Sequence, residues 1–316
     1  VRAVVIRQFG GADELKLEED YPDPLPRPGH RLIDVHIAGV NYADLHGATD
    51  TYLAPVELPY ILGNEFVGTT PEGRRVAALT KGGGYAEKAL AHRAVTWDVP
   101  DDITDEQAAH LALQGNSAWH ILLNTAKLTP GETVVIPAAA GGLGTLAVQL
   151  AKLARAKVIA LASTPERRAL ALELGADAAL DSSTTDGLTD RIIEAAGGPV
   201  QVALEMTGGP TLHALADALA PRGRLAVYGY ASGQIEDISM RTILERSLTV
   251  SGFWLPHLYA LRTALPASMN ALYGLVRTGD LRLVTGHTYA LGEAAQAHRD
   301  LADRKTTGKL LLDIRR

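Results

Sequence analysis

The sequence predicts an α/β protein in which a doubly wound parallel sheet interrupts a β-rich, barrel-type domain. Three observations predict it: apolar runs alternate with helical spacings from Thr133 onward, a glycine-rich turn joins the first run to its helix, and the flanking residues revert to short strands and Pro/Gly-rich turns. Apolar strands without polar alternation, separated by helices, imply a parallel sheet covered on both faces. A chain of 316 residues also suggests two domains, at a prior of about 150 residues each.

Taken in order, Arg2–Arg7 reads as a strand, Tyr21–Gly29 as a proline-rich turn and Arg31–Ile37 as an alternating strand. From Asp105 the spacing becomes helical, with Ala108, Leu111, Ala112, Ala118, Ile121 and Leu122 on one face. Strand and helix then alternate through Thr133–Pro137, Leu143–Ala154, Lys157–Ala162, Pro165–Leu174, Ala178–Leu180, Leu188–Ala196, Val200–Glu205, Thr211–Ala220, Arg224–Tyr228 and Leu248–Leu255. The chain ends in a strand-like Lys309–Ile314. The expected boundaries are 1–113 with 257–316 for the outer domain and 114–256 for a nucleotide-binding domain.

With 47% apolar and 21% charged residues the composition is that of an ordinary soluble globular protein. The net charge of −6 argues against nucleic acid or an anionic membrane as the main partner. There are no cysteines, hence no disulfide, thiolate metal site or cysteine nucleophile, and redox chemistry needs a bound cofactor. The longest uncharged stretch, Val134–Ala151, is broken by Pro137, Gly141, Gly142 and Gly144, so strand, turn and buried helix explain it better than a membrane span. The N-terminal residues show no signal pattern, and the expected location is cytoplasmic.

The most specific signal is the run Val134–Ala151, an apolar strand passing through Ala139-Ala140-Gly141-Gly142-Leu143-Gly144 into a helix. It fits the Rossmann fingerprint G-x-G-x-x-G with alanine first, in the strand–turn–helix setting that fingerprint requires. Gly141, Gly142 and Leu143 bring backbone to a pyrophosphate, Gly144 lets helix pack on strand, and the helix N–H groups face the anion. The second strand ends in Ser163-Thr164-Pro165-Glu166-Arg167-Arg168. Hydroxyls followed by two guanidiniums suit a 2′-phosphate and so NADPH, through charge-assisted bonds from Ser163, Arg167 and Arg168. Alternatively Glu166 pairs with Arg167 on a solvated helix face.

The segments Gly39–Asp44, Ile61–Gly68, the Ala-Ala-Gly-Gly-Leu-Gly turn, Leu174–Asp177, Leu248–Phe253 and Thr307–Lys309 resemble, in order, those of the quinone oxidoreductase (zeta-crystallin-like) branch of the medium-chain dehydrogenase/reductase superfamily. The resemblance covers essentially the whole chain and implies a Rossmann domain with a discontinuous GroES-like catalytic domain. Where zinc-dependent members of that superfamily carry cysteine and histidine ligands this chain has Asn41 and Asn64, and the four-cysteine structural lobe is absent. The expectation is therefore no catalytic zinc. None of the ten histidines offers a recognisable ligand spacing.

The resemblance implies zinc-independent hydride transfer from NADPH to a quinone acceptor, with an enone or alkenal reductase as the alternative within enzymes. A low-activity NADPH-binding structural or RNA-binding protein is the alternative from another class; the acidic charge and the lack of a basic, aromatic-interleaved patch count against RNA. The resemblance places Asn41, Asp44 and Tyr52 around the nicotinamide and acceptor, where Asn41 would donate through its amide and Tyr52 through its phenol. Asp44 reads equally as a turn residue, and Tyr52 as an anchor of its loop. It places Ser117 near the pyrophosphate, Thr207 and Gly229 after later strands, Phe253 near the nicotinamide or in the core, and Lys309 near the phosphates. It also implies a homodimer through the last Rossmann strand. Two departures stand out: Ala48 replaces an arginine of many relatives, and the path from Val67 to Ala77 is short.

Overall fold

The computed structural model describes residues 1–316. The chain forms two compact units, Val1–Asn116 with His257–Arg316, and Ser117–Pro256. In chain order the first stretch holds β1 (Ala3–Ile6), β2 (Lys16–Glu18), β3 (His30–Val40), α1 (Tyr42–Ala48), β4 (Tyr60–Ile61), β5 (Glu65–Thr69), β6 (Arg75–Leu79), β7 (Lys88–His92), β8 (Thr96–Asp98), α2 (Asp105–His110) and α3 (Asn116–His120). Next come β9 (Thr133–Ile136), α4 (Gly142–Leu153), β10 (Lys157–Ala162), α5 (Pro165–Glu173), β11 (Ala178–Asp181), α6 (Leu188–Ala196), β12 (Val200–Glu205), α7 (Pro210–Ala218), β13 (Leu219–Val227), α8 (Met240–Arg246) and β14 (Thr249–Gly252). The chain closes with α9 (Ala264–Thr278), β15 (Thr285–Ala290), α10 (Ala294–Ala302) and β16 (Lys309–Asp313).

The second unit is a six-stranded sheet in the order β11-β10-β9-β12-β13-β14, parallel throughout. It is a Rossmann sheet, with its order reversing between β9 and β12. Val134–Ile136, Val158–Leu161 and Val202–Leu204 have no exposed surface, which is why these strands lack polar alternation. Helices α5 and α6 are cut to length by local signals. Thr164 accepts the Arg167 N–H with Pro165 at the first helical position, and Gly197 closes α6 in the left-handed conformation.

The first unit is a GroES-like β assembly. A seven-stranded sheet runs β15-β16-β3-β5-β6-β8 with β7 also on β3, and a three-stranded sheet runs β2-β1-β4. β16, from the far end of the chain, pairs antiparallel with β3 so that Leu310 faces Val40. The helical spacing from Asp105 is realised as α2 and α3 separated by a π turn at Leu111–Gly115.

Three element ends differ from the sequence expectation. β3 extends to Val40 because Ile37, Ala38 and Val40 are all buried. The helix expected over 211–220 stops at Ala218, because Leu219 is already extended and opens β13, five residues before Arg224. The last strand of the second unit is shorter than 248–255, ending at Gly252.

Gly144 is held by contact. A Cβ there would collide with the Ala138 carbonyl oxygen and lie 2.8 Å from the Ala139 Cα, both backbone atoms that cannot turn aside. Gly144→Ala should therefore destabilise the protein by about 1–3 kcal/mol. Thermal unfolding followed by circular dichroism checks this, and an unchanged midpoint would disprove the close packing.

Candidate active site

The end of β3 delivers Asn41 to the start of α1, and Asp44 folds back to accept the Asn41 N–H at 2.9 Å. Asp44 has no exposed surface, and its carboxylate also receives the Gly63 N–H (3.2 Å), Asn64 Nδ2 (2.8 Å) and the Tyr85 hydroxyl (3.3 Å). Burial pushes this carboxyl up to about 6, against the opposing pull of the Asn41 and Gly63 N–H groups and of Lys309. Behind Tyr85 lies His298 of α10, Nε2 3.2 Å from the hydroxyl, and burial pushes that imidazole down to about 3.

A second cluster adjoins the first. Lys309 and Glu65, both fully buried, form an ion pair in which Lys309 Nζ also donates to Asn41 Oδ1 at 2.8 Å. Asn41 Nδ2 donates to Glu65 at 2.9 Å, and Gln114 Nε2 donates to Asn41 Oδ1 at 3.0 Å. Glu65 Oε2 accepts the Leu113 N–H at 2.8 Å. That donor comes from the π turn, where wider winding changes the local hydrogen-bond pattern.

Two expectations are corrected here. Lys309, expected near cofactor phosphates, is buried with its ammonium committed to Glu65 and Asn41, so it offers no charge at a surface. Asn41, expected to donate to the acceptor, is 4% exposed and spends its amide on Glu65, Lys309 and Gln114. Asp44 closes the capping box at the start of α1. Tyr52 is half-buried in a loop tied down by the Thr51 N–H donating to the His46 carbonyl at 3.0 Å. Burial raises the hydroxyls of Tyr60 and Tyr259, with Asp44 and Tyr52 adding to the first and Tyr52 and Glu65 to the second. Tyr60, Tyr85, Tyr259 and His298 were missed from sequence. Gly82 and Gly63 were the available signals for two of them, since Tyr60 packs on Gly82 and Tyr85 on Gly63.

In the second unit the expected cofactor residues follow the carboxyl ends of parallel strands. The Gly141–Gly144 turn follows β9, Ser163 follows β10, Thr207 follows β12, Gly229 follows β13 and Phe253 follows β14. They therefore share the sheet edge where ligands of open α/β sheets bind. Helix α4 has Gly141 as its N-cap and so no side-chain cap, leaving first-turn N–H groups for an anion. Leu143 is half-buried on its first turn, and Ser117 is buried at the start of the unit. Arg167 donates to Ser163 Oγ at 3.0 Å, whereas Arg168 is drawn aside to the Ala162 carbonyl (3.2 Å) and Asp181 (3.3 Å). Glu166 is exposed, its carboxyl held below the usual range first by a backbone N–H and then by the Thr164 hydroxyl. Glu205 shapes the turn after β12 by accepting the N–H groups of Thr207 and, at 2.6 Å, Gly208. Burial raises its carboxyl above the ordinary value.

Removing one partner of a buried ion pair strands the other. Lys309→Met should cost about 3–5 kcal/mol. Lys309→Met combined with Glu65→Leu should recover part of that loss, because no charge is then left unpaired. A double-mutant cycle in urea checks this, and additive losses would show that the two side chains are not coupled.

Residues 27–101 match the alcohol dehydrogenase GroES-like domain family, and residues 142–270 match the zinc-binding dehydrogenase family. The chain is 33% identical to a quinone oxidoreductase of Pseudomonas aeruginosa, over 96% of this chain and 97% of that protein. Among solved structures, the quinone oxidoreductase of Thermus thermophilus is 34% identical with a TM-score of 0.85, covering 99% of this chain and all of that one. The Escherichia coli quinone oxidoreductase complexed with NADPH is 27% identical with a TM-score of 0.92, at 99% and 100% coverage. The zinc of the second family's description does not fit the residues here. Glu65 is neutralised by Lys309, Asn41 and Asn64 supply amides, and no group of three His, Cys, Asp or Glu side chains converges. With two domain families matched and relatives aligned along nearly its whole length, the chain belongs to the quinone oxidoreductase branch of the medium-chain dehydrogenase/reductase superfamily.

Proposed function

We propose that the protein is an NADPH-dependent, zinc-independent oxidoreductase whose acceptor is a quinone. The observation that carries the cofactor is the pairing of Ser163 and Arg167 at the end of β10, on the same sheet edge as the uncapped start of α4. The two would hold a 2′-phosphate and a pyrophosphate respectively. Related quinone oxidoreductases from Thermus thermophilus and Escherichia coli have been solved in complex with NADPH.

Bound NADPH supplies a hydride from its nicotinamide. The protein's own part is to bind, orient and stabilise charge. The glycine turn admits the pyrophosphate, Glu205 fixes the backbone of Thr207 and Gly208, and Gly229 and Phe253 complete the edge. In the first unit the tyrosines at 52, 60 and 259 supply flat surfaces and hydroxyls suited to a quinone ring. The reading includes a homodimer through β14, which has a strand neighbour on one side only and carries the 40% exposed Val250.

Chelator-treated protein should oxidise NADPH in the presence of a quinone series, followed by loss of dihydronicotinamide absorbance. Turnover with alkenals alone would replace the quinone by an enone as acceptor. Arg167→Ala should weaken NADPH binding by about 1–3 kcal/mol and leave NADH binding nearly unchanged. Arg168→Ala should do less, given its partners at Ala162 and Asp181. Equal losses for both cofactors in a fluorescence titration would refute the 2′-phosphate assignment.

A further inference from the structure

The residues that bond to Asp44 divide by exposure. Asn41, Gly63 and Tyr85 are buried, while Asn64 alone keeps part of its surface open. Asp44 is an acceptor that cannot turn, because Asn41 N–H and the Tyr85 hydroxyl fix one oxygen and Gly63 N–H fixes the other. A carboxylate accepts only, so the Asn64 amide must present nitrogen to it, and the 2.8 Å Nδ2–Oδ1 contact sets the polarity of the whole side chain. The second Nδ2 proton then has a defined direction and no role in the carboxylate contact.

Tyr85 and His298 reinforce this arrangement from behind. The single proton of the Tyr85 hydroxyl goes to Asp44, so its 3.2 Å contact with His298 requires the imidazole to donate from Nε2. Asn41 cannot take the role assigned to it from sequence, since its amide is consumed by Glu65, Lys309 and Gln114. Among the residues that bond to Asp44, Asn64 is the donor that combines a fixed orientation with an open side.

We propose that Asn64 is a catalytic residue, its second Nδ2–H donating to the acceptor's carbonyl oxygen, and that Asp44, Tyr85 and His298 are positioning residues that hold its amide in that orientation. The inference rests on the quinone reductase reading. Reduction would move a hydride from the dihydronicotinamide C–H bond to the quinone, leaving NADP⁺ and a hydroquinone monoanion; Asn64 would stabilise its oxyanion until water supplies the one further proton that completes the hydroquinone. A hydrogen bond that strengthens as charge develops lowers the barrier more than it tightens substrate binding.

The test is steady-state turnover of NADPH with a series of quinones graded in electron demand, beside NADPH binding measured by fluorescence without acceptor. Asn64→Leu, close in volume and without a donor, should lower kcat on the order of 10- to 100-fold. NADPH affinity should be unchanged, and the loss should grow toward the less electron-poor quinones. Asn64→Ser, which keeps a donor, should recover part of the rate, and Tyr85→Phe should lower kcat less while preserving NADPH binding. Wild-type kcat in Asn64→Leu, or an equal loss across the quinone series, overturns the assignment of Asn64 and leaves the enzyme reading intact. Wild-type protein that binds NADPH but reduces no quinone overturns both.

Discussion

Lys309 and Glu65 meet without any exposed surface, one from the first residue of β16 and the other from the first residue of β5. Burying two ions costs several kcal/mol each unless hydrogen bonds satisfy them, and here they do. Asn41 and the Leu113 N–H also bond to Glu65, and Asn41 Oδ1 gives the ammonium a second acceptor. The cluster thereby ties four distant segments together: the end of β3, the start of β5, the π turn and the start of β16. It also gives a physical reason for the discontinuous first unit. Residue 309 has to stand beside residues 41 and 65, and the antiparallel pairing of β16 on β3 brings it there.

The second unit is organised by backbone approach. Reversal of strand order between β9 and β12 leaves the carboxyl edge of the sheet open, and the turn after β9 is built so tightly that Gly144 packs on the Ala138 and Ala139 backbone. Ala138 itself takes the left-handed conformation (φ 47°), which costs an L residue energy that glycine would not incur. The fingerprint's missing first glycine and the strained alanine beside it belong to the same turn. The turn retains the second and third glycines of the pattern, Gly141 and Gly144; close packing at Gly144 sets the helix on the strand, and Gly141 with the uncapped start of α4 is the part an anion requires.

How much of this was legible depended on sequence distance. The strands of the parallel sheet could be read because both faces are buried, which removes polar residues from runs such as Val134–Ile136. The start of β13 could not, because Leu219-Ala220-Pro221-Arg222-Gly223 carries turn residues inside a strand. At the site, Asp44 could be found by resemblance, but its bonds to Gly63, Asn64 and Tyr85 are long-range and leave no local pattern. The role of Lys309 was misread for the same reason. A lysine near a family motif suggests a phosphate partner, whereas its actual partner lies 244 residues away. His298 sits in a helix where a lone histidine reads as surface or packing, and only its contact with Tyr85 links it to Asp44.

The arrangement of charge also bears on the kind of acceptor. The buried ammonium is spent on Glu65, so the pair is neutral and projects little field. Hydrogen bonds from neutral donors contribute about 1–3 kcal/mol each to a developing charge. An unactivated ketone needs stronger polarisation before it accepts a hydride, of the kind a metal ion or an unpaired cation provides. A quinone or conjugated carbonyl delocalises the incoming electron pair over its own framework, so orientation and a modest donor suffice. With Asn41 and Asn64 supplying amides and Lys309 locked onto Glu65, the two buried clusters hold neutral donors and a closed ion pair, the setting in which the proposed quinone acceptor would need least help.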